Sequence, residues 1–317
     1  MKGIKRVICI ILALAFTFGF STNSRADEGA ITNLKQTGAV NGKSITWTWD
    51  KYPGAVSYDV IIYDGSTYSD PVQTTANSYT LNVSGLSKGY AILVKVNTAL
   101  GATNISGTAV GYTAPVVPNT ITVWEWIAGS ASVDLRWYGV KADSYYVPDG
   151  YDVKITTLAG KKIKTYKNVK SNCSSYGEYK YVQSFKKTIK KAKNAGFKVS
   201  IRSYKTLDNG KKVYSKWSKA KAFVPGAKIK KGEAASASTG RLYWNKVKNA
   251  QSYTIYRMTG TDTYKKVKKV SGSTLSTELP KSYFYNGLFV TADVKVKGKK
   301  YKSTVLKQVN IKYIKYH

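Results

Sequence analysis

GRLYWNKVKNAQSYTIYR, residues 240–257, reads as a strand, a loop and a second strand. Leu242 and Trp244 alternate with polar neighbours, the period-two pattern of a half-buried strand. Asn245 to Ser252 is polar and small, as a connecting loop requires. Tyr253, Ile255 and Arg257 share one face of the next strand, and Thr254 and Tyr256 the other. The unit recurs upstream. Ile45, Trp47 and Trp49 lead to Tyr58, Val60 and Ile62, with nine residues from Trp49 to Tyr58 and nine from Trp244 to Tyr253. Val133, Leu135 and Trp137 lead to Tyr151, Val153 and Ile155, with five extra residues around Tyr145, Tyr146 and Pro148. Self-similarity at about 100 residues implies tandem domains, because solenoid repeats are shorter.

This pattern resembles the fibronectin type III family. There an inward tryptophan on the second strand packs under the opposite sheet and a tyrosine opens the third strand. Trp49, Trp137 and Trp244 stand where that tryptophan belongs. VSIRSYKTLDNGKKVYSKWS (Val199–Ser218) looks like the last hairpin of bacterial versions, TADVKVKGKKYKS (Thr291–Ser303) echoes it, and VKVNTALGATNIS (Val94–Ser106) is similar without the GKK turn. Asn209-Gly210 is a hairpin signal in itself, since both residues tolerate positive φ. The resemblance implies an all-β chain of three tandem immunoglobulin-like (fibronectin type III) β-sandwiches. It is specific for fold and weak for function, because the family is a scaffold.

Met1 to Ala26 reads as a secretion signal: Lys2, Lys5 and Arg6 precede an apolar run of fourteen, and Ser24-Arg25-Ala26 offers a cleavage site. Cys9 lies inside the apolar run without a small residue before it, against lipidation. Residues 27–317 then divide as 27–117, 118–226 and 227–317. Thr113–Thr120 and Pro225–Glu233 read as linkers by composition. Tyr90 is expected to form the corner by which a family tyrosine bonds back to the chain. Phe185, Ile189 and Ala192, at i, i+4 and i+7 in SFKKTIKKAKNAG (184–196), predict a short basic helix stopped by Gly196. The final IKYIKYH reads as an extended or frayed last strand. No second apolar run reaches membrane length, and no sorting motif with a hydrophobic tail closes the chain.

Charge is unevenly spread. The chain carries 51 Lys+Arg against 17 Asp+Glu, net +34. Residues 27–117 hold 5 basic and 6 acidic residues, net −1. Residues 118–226 hold 22 and 7, net +15, and residues 227–317 hold 20 and 4, net +16. The neutral first domain argues against a general lysine bias, and the repulsion in the other two exceeds what solubility asks for. An anionic partner is therefore expected, through Lys161, Lys162, Lys164, Lys186, Lys187, Lys190, Lys191, Lys211 and Lys212 in the second domain. In the third domain the candidates are Lys265, Lys266, Lys268, Lys269, Lys297, Lys299 and Lys300. Residues 27–317 contain 43 Lys and 4 Arg. Lysine is a point charge and arginine a planar fork, so the composition predicts diffuse, salt-sensitive attraction and no sequence-specific reading of nucleic acid. The partners that fit are an anionic cell-wall polymer of the teichoic-acid type or a host glycosaminoglycan, met by a secreted chain held at the wall by charge.

Other chemistry is short of material. The single histidine is His317, and Cys173 is the one cysteine after the signal, so triad, thiol and His/Cys metal sites have no partners. No cofactor motif appears. Cys173 reads either as a buried small residue or as a link between two chains. Asp50, Asp59, Asp64 and Glu125 sit in strand or turn contexts rather than as a carboxylate pair. Among aromatics, Trp47 shares the core face of Trp49, and Trp217 is expected under lysine stems. The Val123–Glu125–Ile127 face of TVWEWI is expected outside. Tyr145, Tyr146, Tyr283 and Tyr285 are the candidates for stacking on a sugar. The expected function is a non-catalytic, exported surface-binding or scaffold protein that displays its first domain. The alternatives are a glycan-binding adhesin using exposed aromatics of the second domain and a purely structural spacer.

Overall fold

The computed structural model describes residues 29–125, 132–138, 148–170, 174–176, 180–190, 193–260 and 263–303. The expected signal, Tyr145, Tyr146, Cys173, Lys191 and IKYIKYH lie outside them.

The first sandwich runs through β1 (Lys35–Thr37), β2 (Ser44–Thr48), β3 (Ala55–Tyr63), β4 (Val72–Thr74), β5 (Ser78–Asn82), β6 (Gly89–Thr98) and β7 (Gly101–Tyr112). One sheet has the order β1-β2-β5 and the other β4-β3-β6-β7. The second comprises β8 (Asn119–Glu125), β9 (Ser132–Tyr138), β10 (Gly150–Thr157), β11 (Lys162–Lys170), β12 (Ser174–Tyr176), β13 (Lys180–Thr188), β14 (Phe197–Thr206), β15 (Lys212–Tyr214) and β16 (Lys221–Phe223). Its sheets are β12-β13-β9-β8 and β11-β10-β14-β15, with β16 also on β14. The third comprises β17 (Ile229–Ala234), β18 (Thr239–Trp244), β19 (Ala250–Gly260), β20 (Thr263–Ser271), β21 (Ser276–Pro280), β22 (Leu288–Val296) and β23 (Lys299–Lys302), as β17-β18-β21 against β20-β19-β22-β23. The paired three- and four-stranded antiparallel sheets of the first and third sandwiches are the fibronectin type III arrangement.

Each sandwich has its own core, and the repeated tryptophan–tyrosine step builds it. Trp49 meets Tyr58 edge-on at 5.3 Å, Trp137 meets Tyr151 at 5.2 Å, and Trp244 meets Tyr253 at 5.6 Å. Trp47 is also fully buried. The Tyr58 hydroxyl accepts the Tyr52 N–H and the Tyr253 hydroxyl accepts the Val247 N–H, both at 2.9 Å. The hydroxyl that ties back to the chain is therefore that of the third-strand tyrosine. Tyr90 is half-buried on β6 and packs against the core.

Several local readings change. Ser184–Thr188 lies in β13, paired with β9 through Phe185↔Leu135, and is not helical. Phe185 and Ile189 are both buried. A spacing of four fits a strand face as well as a helix face, and pairing with β9 decides the matter. Ile121 and Val123 are buried, the reverse of the expected face of β8. The register shifts between Val123 and Glu125, so alternation does not carry through the strand. In the Asp208-Asn209-Gly210 turn only Gly210 takes positive φ, 78°.

Parts of both linkers are built into the fold. Thr113 is fully buried, its N–H donates to Lys88 O at 2.9 Å, and Ala114 N–H donates to Asn41 O at 2.9 Å. At the second linker, Val224 and Ala227 are each 2% exposed, and Ala227 N–H donates to Val290 O at 2.8 Å. The described chain forms two compact units. The first holds residues 29–116 with Lys205–Tyr214, and the second holds the rest, so the second sandwich apart from Lys205–Tyr214 shares a unit with the third.

Candidate polyanion-binding surfaces

The four arginines of residues 27–317 are all committed to partners inside the fold. Arg136 pairs with Asp134 at 3.2 Å, Arg241 pairs with Glu278, and the Arg257 guanidinium lies 4.6 Å over the Tyr283 ring. Arg202 reaches the buried Asp152 carboxylate with Nε at 3.0 Å and Nη2 at 2.7 Å. It also lies 4.7 Å over Trp217, and Lys154 Nζ lies 4.5 Å over the same ring. The expected cover over Trp217 is thus one lysine and one arginine. Planar forks fix the strands, and point charges are left for the outside.

The candidate lysines occupy separate places. In the second sandwich Lys161 is in the β10–β11 turn, Lys162 and Lys164 are on β11, Lys186 and Lys187 are on β13, and Lys190 follows it. Lys211 and Lys212 are in the β14–β15 hairpin. In the third, Lys265, Lys266, Lys268 and Lys269 are on β20, and Lys297, Lys299 and Lys300 are in the β22–β23 hairpin. All of these are exposed except Lys212, which is half-buried. β11 and β15 are opposite edges of one sheet, and β20 and β23 are opposite edges of another, so the candidates do not converge on one patch within a sandwich. Lysines on β11 and β20 also keep foreign strands from pairing with those edges. Lys269 is spent on Asp293 at 3.1 Å.

The aromatic candidates separate too. Phe284 is fully buried and pins the 3-10 turn Lys281–Asn286. Tyr283 is half-buried beneath Arg257, whereas Tyr285 is 61% exposed, so the two do not form one platform. Sequence reading missed a cluster on the other face of the β19–β22 pair. Tyr256 stacks on Phe289 at 5.0 Å and 4°, and Tyr264 meets Phe289 edge-on at 4.9 Å. Alternation placed Tyr256 opposite Tyr253, but its neighbours come from β20 and β22.

Two of the carboxylates singled out earlier, Asp50 and Asp64, serve structural ends. Asp50 accepts Asn33 Nδ2 at 2.6 Å and Thr32 Oγ1 at 2.8 Å, which hold its pKa below the usual carboxylate value. Asp64 accepts the N–H groups of Thr67 at 2.9 Å and Ser66 at 2.7 Å, which lower its pKa likewise. Asp208, at the β14–β15 turn, is pushed up by burial, against the Val110 N–H that donates to it. Among the described residues no group of three His, Cys, Asp or Glu side chains is placed to hold a metal, and no helix is long and apolar enough to cross a membrane.

No family model matches this sequence, and no curated protein matches it. Among solved structures it is similar to the FN1–FN3 domains of chicken CNTN1, at 12% identity and a TM-score of 0.33 over 86% of this chain and 96% of that one. It is also similar to a segment of two fibronectin type III domains from chicken tenascin, at 14% identity and a TM-score of 0.31 over 62% of this chain and 99% of that one.

Proposed function

We propose that this chain is an exported, non-catalytic binding protein of the cell surface. Its second and third sandwiches hold a phosphate-bearing anionic polymer of the wall or surrounding matrix, and its first sandwich is displayed. The supporting observation is the segregation of charge by use. The arginines of residues 27–317 are bound into the fold, and lysines carry the exposed charge of two sandwiches at net +15 and +16 beside a first domain at −1. Lysines dispersed over several edges suit a flexible polymer better than a discrete small molecule.

The test is co-sedimentation of the full chain with purified walls, with and without teichoic acid, across a salt series. With six or more contacts neutralised, affinity falls by about 10³-fold between 50 and 200 mM salt, by analogy with nucleic-acid polyanions. Retention that ignores both salt and teichoic acid refutes this reading. It would favour a glycan-binding adhesin, for which the 61% exposure of Tyr285 is the supporting observation.

A further inference from the structure

We propose that the joint between the second and third sandwiches is itself a composite binding site, at which one linear polyanion touches both. This rests on the polyanion-binding reading above and assigns it a place.

The joint is closed by hydrogen bonds and apolar packing. Ser303 Oγ donates to Pro225 O at 2.7 Å and accepts the Ala292 N–H at 2.7 Å. Lys248 N–H donates to Asn194 O at 2.8 Å, and the Tyr301 hydroxyl donates to Leu158 O at 3.5 Å. Leu158, from the β10–β11 turn, is 3% exposed and packs into the core of the third sandwich. At Gly196 an added Cβ would stand 2.7 Å from Phe223 O. The two sandwiches are therefore locked at this end, and groups around the seam keep fixed spacing.

Those groups are lysines. Lys161 follows Leu158 by three residues, Lys193 precedes Asn194, and the Lys198 ammonium lies 5.4 Å over the Tyr301 ring. From the other side Lys248 makes the joint's main-chain bond, Lys246 is two residues before it, and Lys300 precedes Tyr301. Five are exposed and Lys198 is half-buried. None of the six forms an ion pair among the described residues. The seam-closing bonds of Ser303, Lys248 and Tyr301 use carbonyls, N–H groups and hydroxyls, and none of them uses a carboxylate. The acids of neighbouring strands are taken elsewhere: Asp152 by Arg202, and Asp293 by Lys269.

A rigid seam that gathers like charges from two domains is repulsive unless an anion bridges it. A linear polymer bound to one sandwich reaches the other at high effective concentration, and a short anion does not. Of these six lysines only Lys161 and Lys300 stand out in the sequence as candidates, and the six, scattered from 161 to 300, meet only through the fold.

The test uses the full chain and measures affinity for long-chain inorganic polyphosphate and for tripolyphosphate at low salt. One variant changes Lys161, Lys193, Lys198, Lys246, Lys248 and Lys300 to Ser. A control of equal charge changes Lys164, Lys167, Lys211, Lys265, Lys266 and Lys268 to Ser. A third keeps every lysine and inserts Gly-Gly-Ser between Pro225 and Gly226. The expected result for the long chain is about a hundred-fold loss in the seam variant and no more than about five-fold in the control. The insertion is expected to lose about ten-fold through lower effective concentration. Tripolyphosphate should bind weakly and show no such difference. Equal losses from the two six-lysine variants would overturn the seam site while leaving diffuse polyanion binding standing. Failure of the unaltered chain to bind polyphosphate would sink both. The two six-lysine variants change exposed or half-buried side chains only, so they decide the question even if the insertion unfolds.

Discussion

Replacing Tyr253 by phenylalanine removes one oxygen and nothing else. The ring is fully buried against Trp244, and the hydroxyl accepts the N–H of Val247, itself fully buried, at 2.9 Å. Phenylalanine keeps the ring contact but leaves a buried main-chain donor unpaired, which costs about 1–3 kcal/mol. A central value of ~2 kcal/mol is roughly a thirty-fold change in an opening equilibrium. The assay is hydrogen exchange read by mass spectrometry on peptides covering β18–β19, with peptides covering β2–β3 as internal reference. Protection in β18–β19 should fall roughly thirty-fold while β2–β3 stays unchanged. Tyr58→Phe makes the comparison sharp. Its hydroxyl accepts the N–H of Tyr52, which is only half-buried, so water can replace the lost acceptor. Its cost should be about 0.5–1.5 kcal/mol and confined to the first core. Protection in Tyr253→Phe within three-fold of the parent, or a larger loss from Tyr58→Phe, would refute the reasoning.

Gly111→Ala should destabilise the first core by about 1–3 kcal/mol, because the added Cβ would stand 2.5 Å from both Trp47 Cζ2 and Ile45 Cγ2; urea unfolding checks it. Arg202→Lys should cost about 1–3 kcal/mol, since a single ammonium cannot reproduce the two-nitrogen grip on buried Asp152, and should uncover Trp217, read as a change in its fluorescence. For Asp208 the folded pKa is raised by burial, so the ionised carboxylate lowers stability at neutral pH. Acidification through that raised value relieves the penalty. Asp208→Asn should therefore be more stable than the parent at pH 7, with the gap closing as pH falls towards the unfolded carboxylate value. A gap that widens on acidification would contradict the assignment. For Asp50 the sign is opposite: its pKa is lowered by Asn33 and Thr32, so its contribution is present above the unfolded value and is lost as pH falls through the folded one. Stability of Asp50→Ala relative to the parent, followed from pH 7 to 2, reads this directly.

Much of the architecture is legible in the linear chain because it depends on neighbours a few residues apart. The alternation at Ile45–Trp49, Val133–Trp137 and Leu242–Trp244 and the tyrosine that follows each are local signals, and every one of these apolar positions is buried. The charge imbalance is legible for the same reason, as a property of counting. What failed were readings in which one local pattern fits two structures. Phe185 and Ile189 satisfy a helix and a strand alike, and only the partner strand β9 decides. Thr113–Thr120 has the composition of a linker and holds the boundary between the two units, at Val116–Val117, but it and Pro225–Glu233 are in part drawn into the fold by long-range bonds to Asn41, Lys88 and Val290.

The candidate site divides along the same line. That lysine, and not arginine, carries the free charge follows from composition, but which cations are spent inside the fold does not. Asp152 and Arg202 are fifty residues apart and meet because β10 and β14 are neighbours. Lysines 161, 193 and 198 stand beside 246, 248 and 300 because Leu158, Asn194 and Pro225 are held against Tyr301, Lys248 and Ser303. Periodicity and composition are written in sequence order. The meeting of distant charges is set by strand pairing and by what the domains bury between them, and that the tertiary structure alone decides.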